Sequence, residues 1–129
     1  MPVTIHQPGE RPPPRGYSEA TSGNGVIAIS GQLADEELLE RAAPFHEQFV
    51  SALHRFLEVA AAAGAGPDDV LLMRIYVTSV DTYKAELKQF GAEYRVAYNG
   101  QYPATTLLGV SALIDERAMV EIEGLAAAP

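Results

Sequence analysis

The sequence contains no cysteine, which excludes disulfide bonds, thiolate metal sites and a cysteine nucleophile. It also lacks any long apolar run. The most apolar stretch, residues 59–65, is far shorter than the roughly 20 residues that a membrane-spanning helix needs. The first residues have neither the basic start nor the apolar segment of a signal peptide. We therefore expect a soluble cytoplasmic protein that does not insert into a membrane.

Positive charge is scarce in this chain. Lys and Arg number 9 against 17 Asp and Glu, which gives 9 − 17 = −8 at pH 7. An acidic surface repels phosphate backbones, and no basic stripe interleaved with aromatic residues offsets the repulsion. Nucleic acid is therefore not an expected partner.

The 129 residues, 47% of them hydrophobic, suit a single domain (residues 1–129) with one core. Residues 7–16 carry four prolines and two glycines, which predicts a loop. The turn Gly23-Asn24-Gly25 between residues 19–22 and 26–30 predicts a β-hairpin. The acidic residues 35–40 are interpreted as a solvated connection.

Two segments have the periodicity of amphipathic helices. The first begins at Pro44 and ends at Gly64, which suit a helix start and a C-terminal cap. Its apolar stripe is Phe45, Phe49, Ala52, Phe56 and Ala60. The second is capped by Ser79 or Asp81 and is closed by Tyr98-Asn99-Gly100. Its predicted buried stripe is Tyr83, Leu87, Phe90, Tyr94 and Ala97.

Further strands are predicted at residues 70–78, 104–110 and 118–125. In the first of these, Leu71, Met73, Ile75 and Val77 form one face. Leu72, Arg74, Tyr76 and Thr78 form the other. The order of elements predicts an α+β fold, with a mixed β-sheet and two helices packed on one face. The other face would then be uncovered and apolar enough to favour self-association.

The strand Val120-Glu121-Ile122-Glu123 places its two glutamates on one face and its apolar residues on the other. If Val120 and Ile122 contact the helices, the glutamates point toward the uncovered face. A carboxylate buried there would have a raised pKa, which suits proton transfer or water activation. The alternative is an edge strand with both glutamates solvated, and the pattern alone favours this alternative.

Other candidate sites are weaker. His6, His46 and His54 have no metal-ligand spacing, so no metal site is predicted. The Gly23-Asn24-Gly25 turn lacks the lysine and the following helix of a phosphate loop. Ser30-Gly31-Gln32 lacks the strand-turn-helix context of a nucleophile elbow.

Four segments, in order along nearly the whole chain, resemble the Rid family of reactive-intermediate deaminases, also called YjgF-like or endoribonuclease L-PSP-like proteins. They are Gly16-Tyr17-Ser18-Glu19-Ala20, Ile27-Ala28-Ile29-Ser30-Gly31-Gln32, Tyr102-Pro103-Ala104-Thr105-Thr106 and Val120-Glu121-Ile122-Glu123-Gly124. The resemblance implies a chorismate mutase-like fold and a homotrimer with pockets between subunits. It also implies cofactor-independent hydrolysis of imines or enamines, such as 2-iminobutanoate or 2-aminoacrylate, to a 2-keto acid and ammonia.

The resemblance also implies roles for individual residues. Tyr17 would line the pocket, Ser30 would form its wall, and backbone amides around Leu107 would help to hold the substrate. Glu121 would orient and polarise the attacking water, which reverses the solvated interpretation for this residue. Glu123 would be structural.

One departure from the family pattern concerns substrate binding. Position 105 is threonine, whereas deaminases of this family have an arginine that forms a bidentate ion pair with the substrate carboxylate. Threonine offers one neutral hydrogen bond instead of a bidentate ion pair, which weakens binding of 2-imino acids. Arg74 is the better candidate to replace that arginine, ahead of Arg117. Leu107 would make the pocket apolar.

These observations favour a hydrolase or deaminase-like enzyme acting on a small imine, enamine or similar metabolite other than a simple 2-imino acid. The alternative is a non-catalytic trimer that binds or senses a small metabolite in the same pocket. Deamination of 2-iminobutanoate or 2-aminoacrylate ranks below both. Ribonuclease activity also ranks below them, because the chain is acidic and lacks a pair of catalytic histidines.

Overall fold

A computed structural model describes residues 3–129 as a six-stranded mixed sheet with three helices. The strands are β1 (Thr4–His6), β2 (Ala20–Gly23), β3 (Val26–Gln32), β4 (Val70–Val77), β5 (Ala104–Gly109) and β6 (Val120–Ala127). The helices are α1 (Glu36–Glu40), α2 (Phe45–Ala62) and α3 (Val80–Ala97). The sheet order is β1-β2-β3-β6-β4-β5, and β4–β5 is its parallel pair. The predicted α+β class is confirmed.

The core lies between one face of the sheet and the helices α2 and α3. Burial alternates along β6, where Val120 and Ile122 are fully buried and Glu121 and Glu123 are partly exposed. The helices contribute an aromatic cluster in which the ring centroids of Phe49 and Phe90 lie 4.3 Å apart. The periodic residues of α2 are all buried, as predicted. This packing fixes which face of each strand points away from the helices.

Local signals for turns and caps are confirmed. Asn24 and Gly25 have φ angles of 50° and 78°, which suit the two-residue hairpin between β2 and β3. The Ser79 hydroxyl caps α3 by accepting a hydrogen bond from the Thr82 amide at 3.1 Å. Gly64, with φ 92°, lies just beyond α2.

Two sequence predictions were wrong in detail, and one strand had not been predicted. Residues 36–40 form the short helix α1, because Leu39 buries its side chain with Ala34 and Ala118 despite the surrounding acids. Strand β1 was not predicted, since it is only three residues long and mostly exposed. Leu87 is 46% exposed and does not join the buried stripe of α3.

The second face of the sheet is covered by no helix within residues 3–129. Its strands present apolar and polar side chains side by side. They include Val26, Ala28, Leu72, Arg74, Tyr76, Leu108, Glu121, Glu123 and Leu125. We call this surface the open face. It is the surface through which the sequence predicts self-association.

The part of the chain that the structure describes contains neither a membrane-spanning helix nor a cluster of metal ligands. None of its helices combines the length and the apolarity needed to cross a membrane. The same residues contain no cluster of three or more His, Asp or Glu side chains arranged to hold a metal ion.

The aromatic cluster is expected to dominate stability. Phe49→Ala removes a fully buried ring and leaves a cavity, so the free energy of unfolding should fall by ~3–5 kcal/mol. Leu87→Ala, on the exposed side of α3, is the control and should change it by less than about 1 kcal/mol. Chemical denaturation of both variants measures the difference. Equal effects would contradict the assignment of the core.

Candidate functional site

A cleft of about 510 Å³ opens where β3 ends and β6 begins. Its walls come from the segment before β2, the end of β3, α1, α2, the loop before β6, and β6 itself. The lining residues are Tyr17, Glu19, Ser30, Gly31, Gln32, Leu33, Ala34, Glu36, Leu39, Arg55, Ile114, Asp115 and Glu121. The structure therefore brings together three of the predicted site residues, Tyr17, Ser30 and Glu121.

The Glu121 side chain lies directly over Gly31. A Cβ atom built on Gly31 would stand 2.7 Å from Cδ of Glu121 and still closer to its Oε1. The pairing of β3 with β6 shifts register between Ile29 and Gln32, so Gly31 lies in a bulge of β3. Glycine is required here because any side chain would displace the carboxylate.

Burial raises the pKa of the half-buried Glu121 carboxyl, and the negative charge of Glu123 raises it further. Hydrogen bonds from residues 3–129 do not contribute to this shift. A carboxyl in this environment holds its proton to higher pH than an ordinary glutamate and is a stronger base once ionised. Glu121 therefore has the properties of a proton-transfer group.

Glu123, two residues away, is in a different environment. The guanidinium of Arg74 donates from Nη1 to Oε1 of Glu123 at 3.0 Å, and the Tyr76 hydroxyl donates to its Oε2 at 2.8 Å. The bond to Glu123 raises the pKa of Tyr76. These contacts agree with a structural role for Glu123. They also show that Arg74 forms its ion pair with that carboxylate.

Ser30 is held as part of the cleft wall. Its hydroxyl donates to the Ser18 carbonyl at 2.6 Å, and its amide donates to the Glu19 carbonyl at 2.9 Å. The hydroxyl is therefore engaged with the backbone. Tyr17 is 59% exposed at the cleft rim, where its ring can contact a ligand.

Three predicted residues lie outside the cleft of one chain. Arg74 is on β4, and Thr105 and Leu107 are on the edge strand β5. The Thr105 hydroxyl donates to the Pro103 carbonyl at 2.9 Å. Leu107 packs its side chain against the core, so its backbone is the part available to a pocket.

Sequence reasoning missed three charged residues of the cleft, namely Glu36, Arg55 and Asp115, and it named Arg117 only as a possible substitute for the missing arginine. The Arg55 Nη1 donates to Oδ1 of Asp35 at 2.7 Å. Arg117 pairs with both Glu36 and Asp115, and its hydrogen bonds lower the pKa of Asp115 to about 2. No local signal could have found these residues, because Arg55 falls on the polar side of α2 and its role depends on tertiary packing.

The family model for endoribonuclease L-PSP matches residues 8–128. The chain belongs to this family. The resemblance of the four sequence segments to YjgF-like and endoribonuclease L-PSP-like proteins is thereby confirmed. Among the curated proteins, none matches this sequence.

Solved structures share the fold. A member of the YjgF family from Mycobacterium tuberculosis is 28% identical, with a TM-score of 0.71 over 88% of this chain and 87% of that one. A protein of unknown function from Pseudomonas aeruginosa is 25% identical, with a TM-score of 0.82 over 98% and 93%. E. coli TdcF with bound serine is 20% identical, with a TM-score of 0.82 over 98% and 99%, and this likeness concerns the fold alone.

The raised pKa of Glu121 has a consequence for stability. The folded state binds the Glu121 proton more tightly than the unfolded state does. The contribution of Glu121 to the free energy of unfolding is therefore most favourable at pH values below the ordinary glutamate pKa. It is lost as the pH rises through the raised folded-state value. Glu121→Gln should therefore have a higher melting temperature than wild type at pH 7, and the difference should shrink at pH 4. Thermal unfolding at both pH values measures it, with Glu116→Gln on the exposed loop as the control. A difference independent of pH would contradict the burial of this carboxyl.

Proposed function

We propose that this protein is a cofactor-independent hydrolase of a reactive imine, enamine or similar small metabolite other than a simple 2-imino acid. The observation that carries the proposal is the Glu121 carboxyl. It is half-buried, has a raised pKa and lies over Gly31, in a cleft also lined by Tyr17 and Ser30. The resemblance of the sequence segments to the Rid family implies the same reaction class, whereas the matching family model carries the name endoribonuclease L-PSP.

The proposed chemistry requires one group that can take and return a proton. The ionised Glu121 carboxylate accepts a proton from water as the water oxygen bonds to the imine carbon. Glu121 returns this proton to the imine nitrogen, which gives a carbinolamine. Glu121 then takes the proton of the carbinolamine hydroxyl and delivers it to the amine nitrogen as the C–N bond breaks, so a carbonyl compound and ammonia leave. The net reaction is imine plus water to carbonyl plus ammonia. A carboxyl with a raised pKa suits both steps because its proton affinity is closer to neutral pH.

The charges in the cleft and on the strands beside it support the exclusion of simple 2-imino acids. Arg74 is committed to Glu123, and Arg55 is paired with Asp35. Threonine at position 105 has no charge to offer a carboxylate. Within residues 3–129, Glu121 is the cleft carboxylate without a cationic partner, so a substrate carboxylate placed beside it would be repelled.

The proposed assembly is a homotrimer that associates through the open face. The family is known for oligomers, and the open face leaves apolar side chains such as Val26 and Leu108 exposed. In this assembly β5 of a neighbouring copy would complete the cleft and supply the backbone amides near Leu107. This arrangement would also bring Thr105 to the site, which the cleft of one chain does not contain.

A second candidate function is non-catalytic binding of a small metabolite in the same cleft. The structure of E. coli TdcF holds serine, so a protein with this fold binds an amino acid. A ligand that raises the melting temperature without being consumed would favour this alternative.

Glu121→Gln tests the proposed reaction. Propan-1-imine, formed in situ from propylamine by a flavin amine oxidase, should release ammonia faster with wild type than without it. The variant should lose this acceleration by on the order of a hundredfold or more, the usual contribution of a general base. Glu116→Gln serves as the control. Equal rates of ammonia release for Glu121→Gln and wild type would contradict the proposed mechanism.

Thr105→Arg tests the substrate class. With 2-iminobutanoate formed from 2-aminobutanoate, the variant should gain at least about tenfold in ammonia release over wild type, since it restores a bidentate partner for the carboxylate. Gln89→Arg, on the exposed surface of α3, adds the same charge away from the cleft and the open face and should gain nothing. If wild type hydrolyses 2-iminobutanoate as fast as propan-1-imine, the exclusion of simple 2-imino acids is wrong.

A further inference from the structure

A guanidinium is buried against the cleft wall. Arg11 lies in the proline-rich segment of residues 7–16, yet its side chain is only 9% exposed. A charged group is this well buried only when it is paired. The contacts of Arg11 therefore indicate what the segment does.

All three nitrogens of the Arg11 guanidinium donate hydrogen bonds. Its Nη1 donates to Oε2 of Glu19 at 3.0 Å and to Oε1 of Gln32 at 2.6 Å. Its Nε donates to Oε1 of Glu58 at 3.0 Å, and its Nη2 donates to the Arg55 carbonyl at 3.2 Å. The segment is thus fastened to β3, to α2 and to the residue that precedes β2.

Gln32 carries this connection to the bulge of β3. Gln32 is 2% exposed, and its Nε2 donates to Oε1 of Glu19 at 3.2 Å and to the Ser30 carbonyl at 3.0 Å. Arg11, Glu19 and Gln32 form a closed ring of contacts. Ser30 and Gln32 flank Gly31, over which the Glu121 carboxyl lies.

The segment presents Arg11 in a fixed position. The Arg11 amide donates to the Pro8 carbonyl at 3.2 Å, and the Gln7 side chain donates to the Arg11 carbonyl at 3.1 Å. Three consecutive prolines follow Arg11, and each restricts its own φ angle. Holding this side chain in place therefore costs less conformational entropy than a flexible loop would require.

We propose that Arg11 is a positioning residue for Glu121: through Glu19 and Gln32 it holds the bulge at residues 30–32 in the shape that seats the Glu121 carboxyl. The inference rests on the proposed function, which assigns proton transfer to Glu121. It gives the proline-rich segment a role in the reaction although Arg11 itself does not line the cleft. Other ionisable groups near Glu121 are Glu123, Arg74 and the cross-strand partner of Glu121, Tyr76, on the open face, and the cleft residues Tyr17, Glu19, Glu36, Arg55 and Asp115.

The test measures the Glu121 carboxyl directly. In protein carrying ¹³C-labelled glutamate, the Glu121 signal is assigned by its loss in Glu121→Gln and is titrated by NMR. Arg11→Met, titrated in high salt to screen the charge that it removes, should lower the pKa of Glu121 toward the ordinary value, because a relaxed bulge exposes the carboxyl to water. Arg11→Lys should give an intermediate pKa, since lysine keeps the positive charge but cannot make the several directed hydrogen bonds of the guanidinium. Gly31→Ala, which displaces the carboxyl sterically, is the positive control.

Arg41→Met is the matched negative control, because Arg41 pairs with Glu37 and Glu47 on the surface, away from the cleft. Folded Arg11→Met protein in which Glu121 titrates as in wild type would overturn the proposal. If Arg11→Met does not fold, Gln32→Met replaces it. That variant keeps the pair of Arg11 and Glu19, and an unchanged Glu121 titration in it would equally overturn the proposal.

Kinetics add a second readout. Hydrolysis of propan-1-imine by Arg11→Met should fall by on the order of tenfold to a hundredfold in kcat, the usual effect of misplacing a catalytic group, with KM little changed. The titration does not depend on turnover. A shifted Glu121 titration together with no hydrolysis by wild type would refute the proposed function and still support the positioning role.

Discussion

The close contact between Gly31 and the Glu121 side chain is the constraint on which the site depends. It exists because β3 bulges at residues 30–32 while β6 continues in regular pairing. The missing side chain at Gly31 makes room for a carboxyl that is partly removed from water. Bulge, glycine and glutamate are therefore three parts of one arrangement, and a change in any of them alters the other two.

The two faces of the sheet have different roles, since one packs against the helices and the other carries the polar side chains around Glu121. The helix side is closed by an aromatic cluster around Phe49 and Phe90, which fixes the strands in place. On the open face, Arg74 and Tyr76 hold Glu123, whereas no side chain within residues 3–129 donates such a bond to Glu121. Two glutamates with the same orientation on the same strand thus have different environments.

Periodicity and turn chemistry predicted most of the fold, because these signals are local. The stripe of α2, the Ser79 cap and the Asn24-Gly25 turn each depend on residues close in sequence. Strand β1 and helix α1 could not be predicted in this way, since each is short and gains its stability from neighbours distant in the chain.

The same distinction applies to the site. Alternation along β6 predicted the direction of Glu121 but not its burial, which depends on the bulge of β3. The family resemblance predicted that Tyr17, Ser30 and Glu121 belong to a pocket, and all three line the same cleft. Arg11 had no sequence signal, because its partners Glu19 and Glu58 lie 8 and 47 positions away and only the folded chain places them around one guanidinium.

The position of β6 has a consequence for biosynthesis. It is the last of the six strands to be made, yet it lies between β3 and β4 and joins the two halves of the sheet. Before β6 is synthesised, β1-β2-β3 and β4-β5 have no strand between them to pair with, and only the helices can join the two parts of the sheet. Because β6 also carries Glu121, the strand that completes the sheet is the one that completes the cleft.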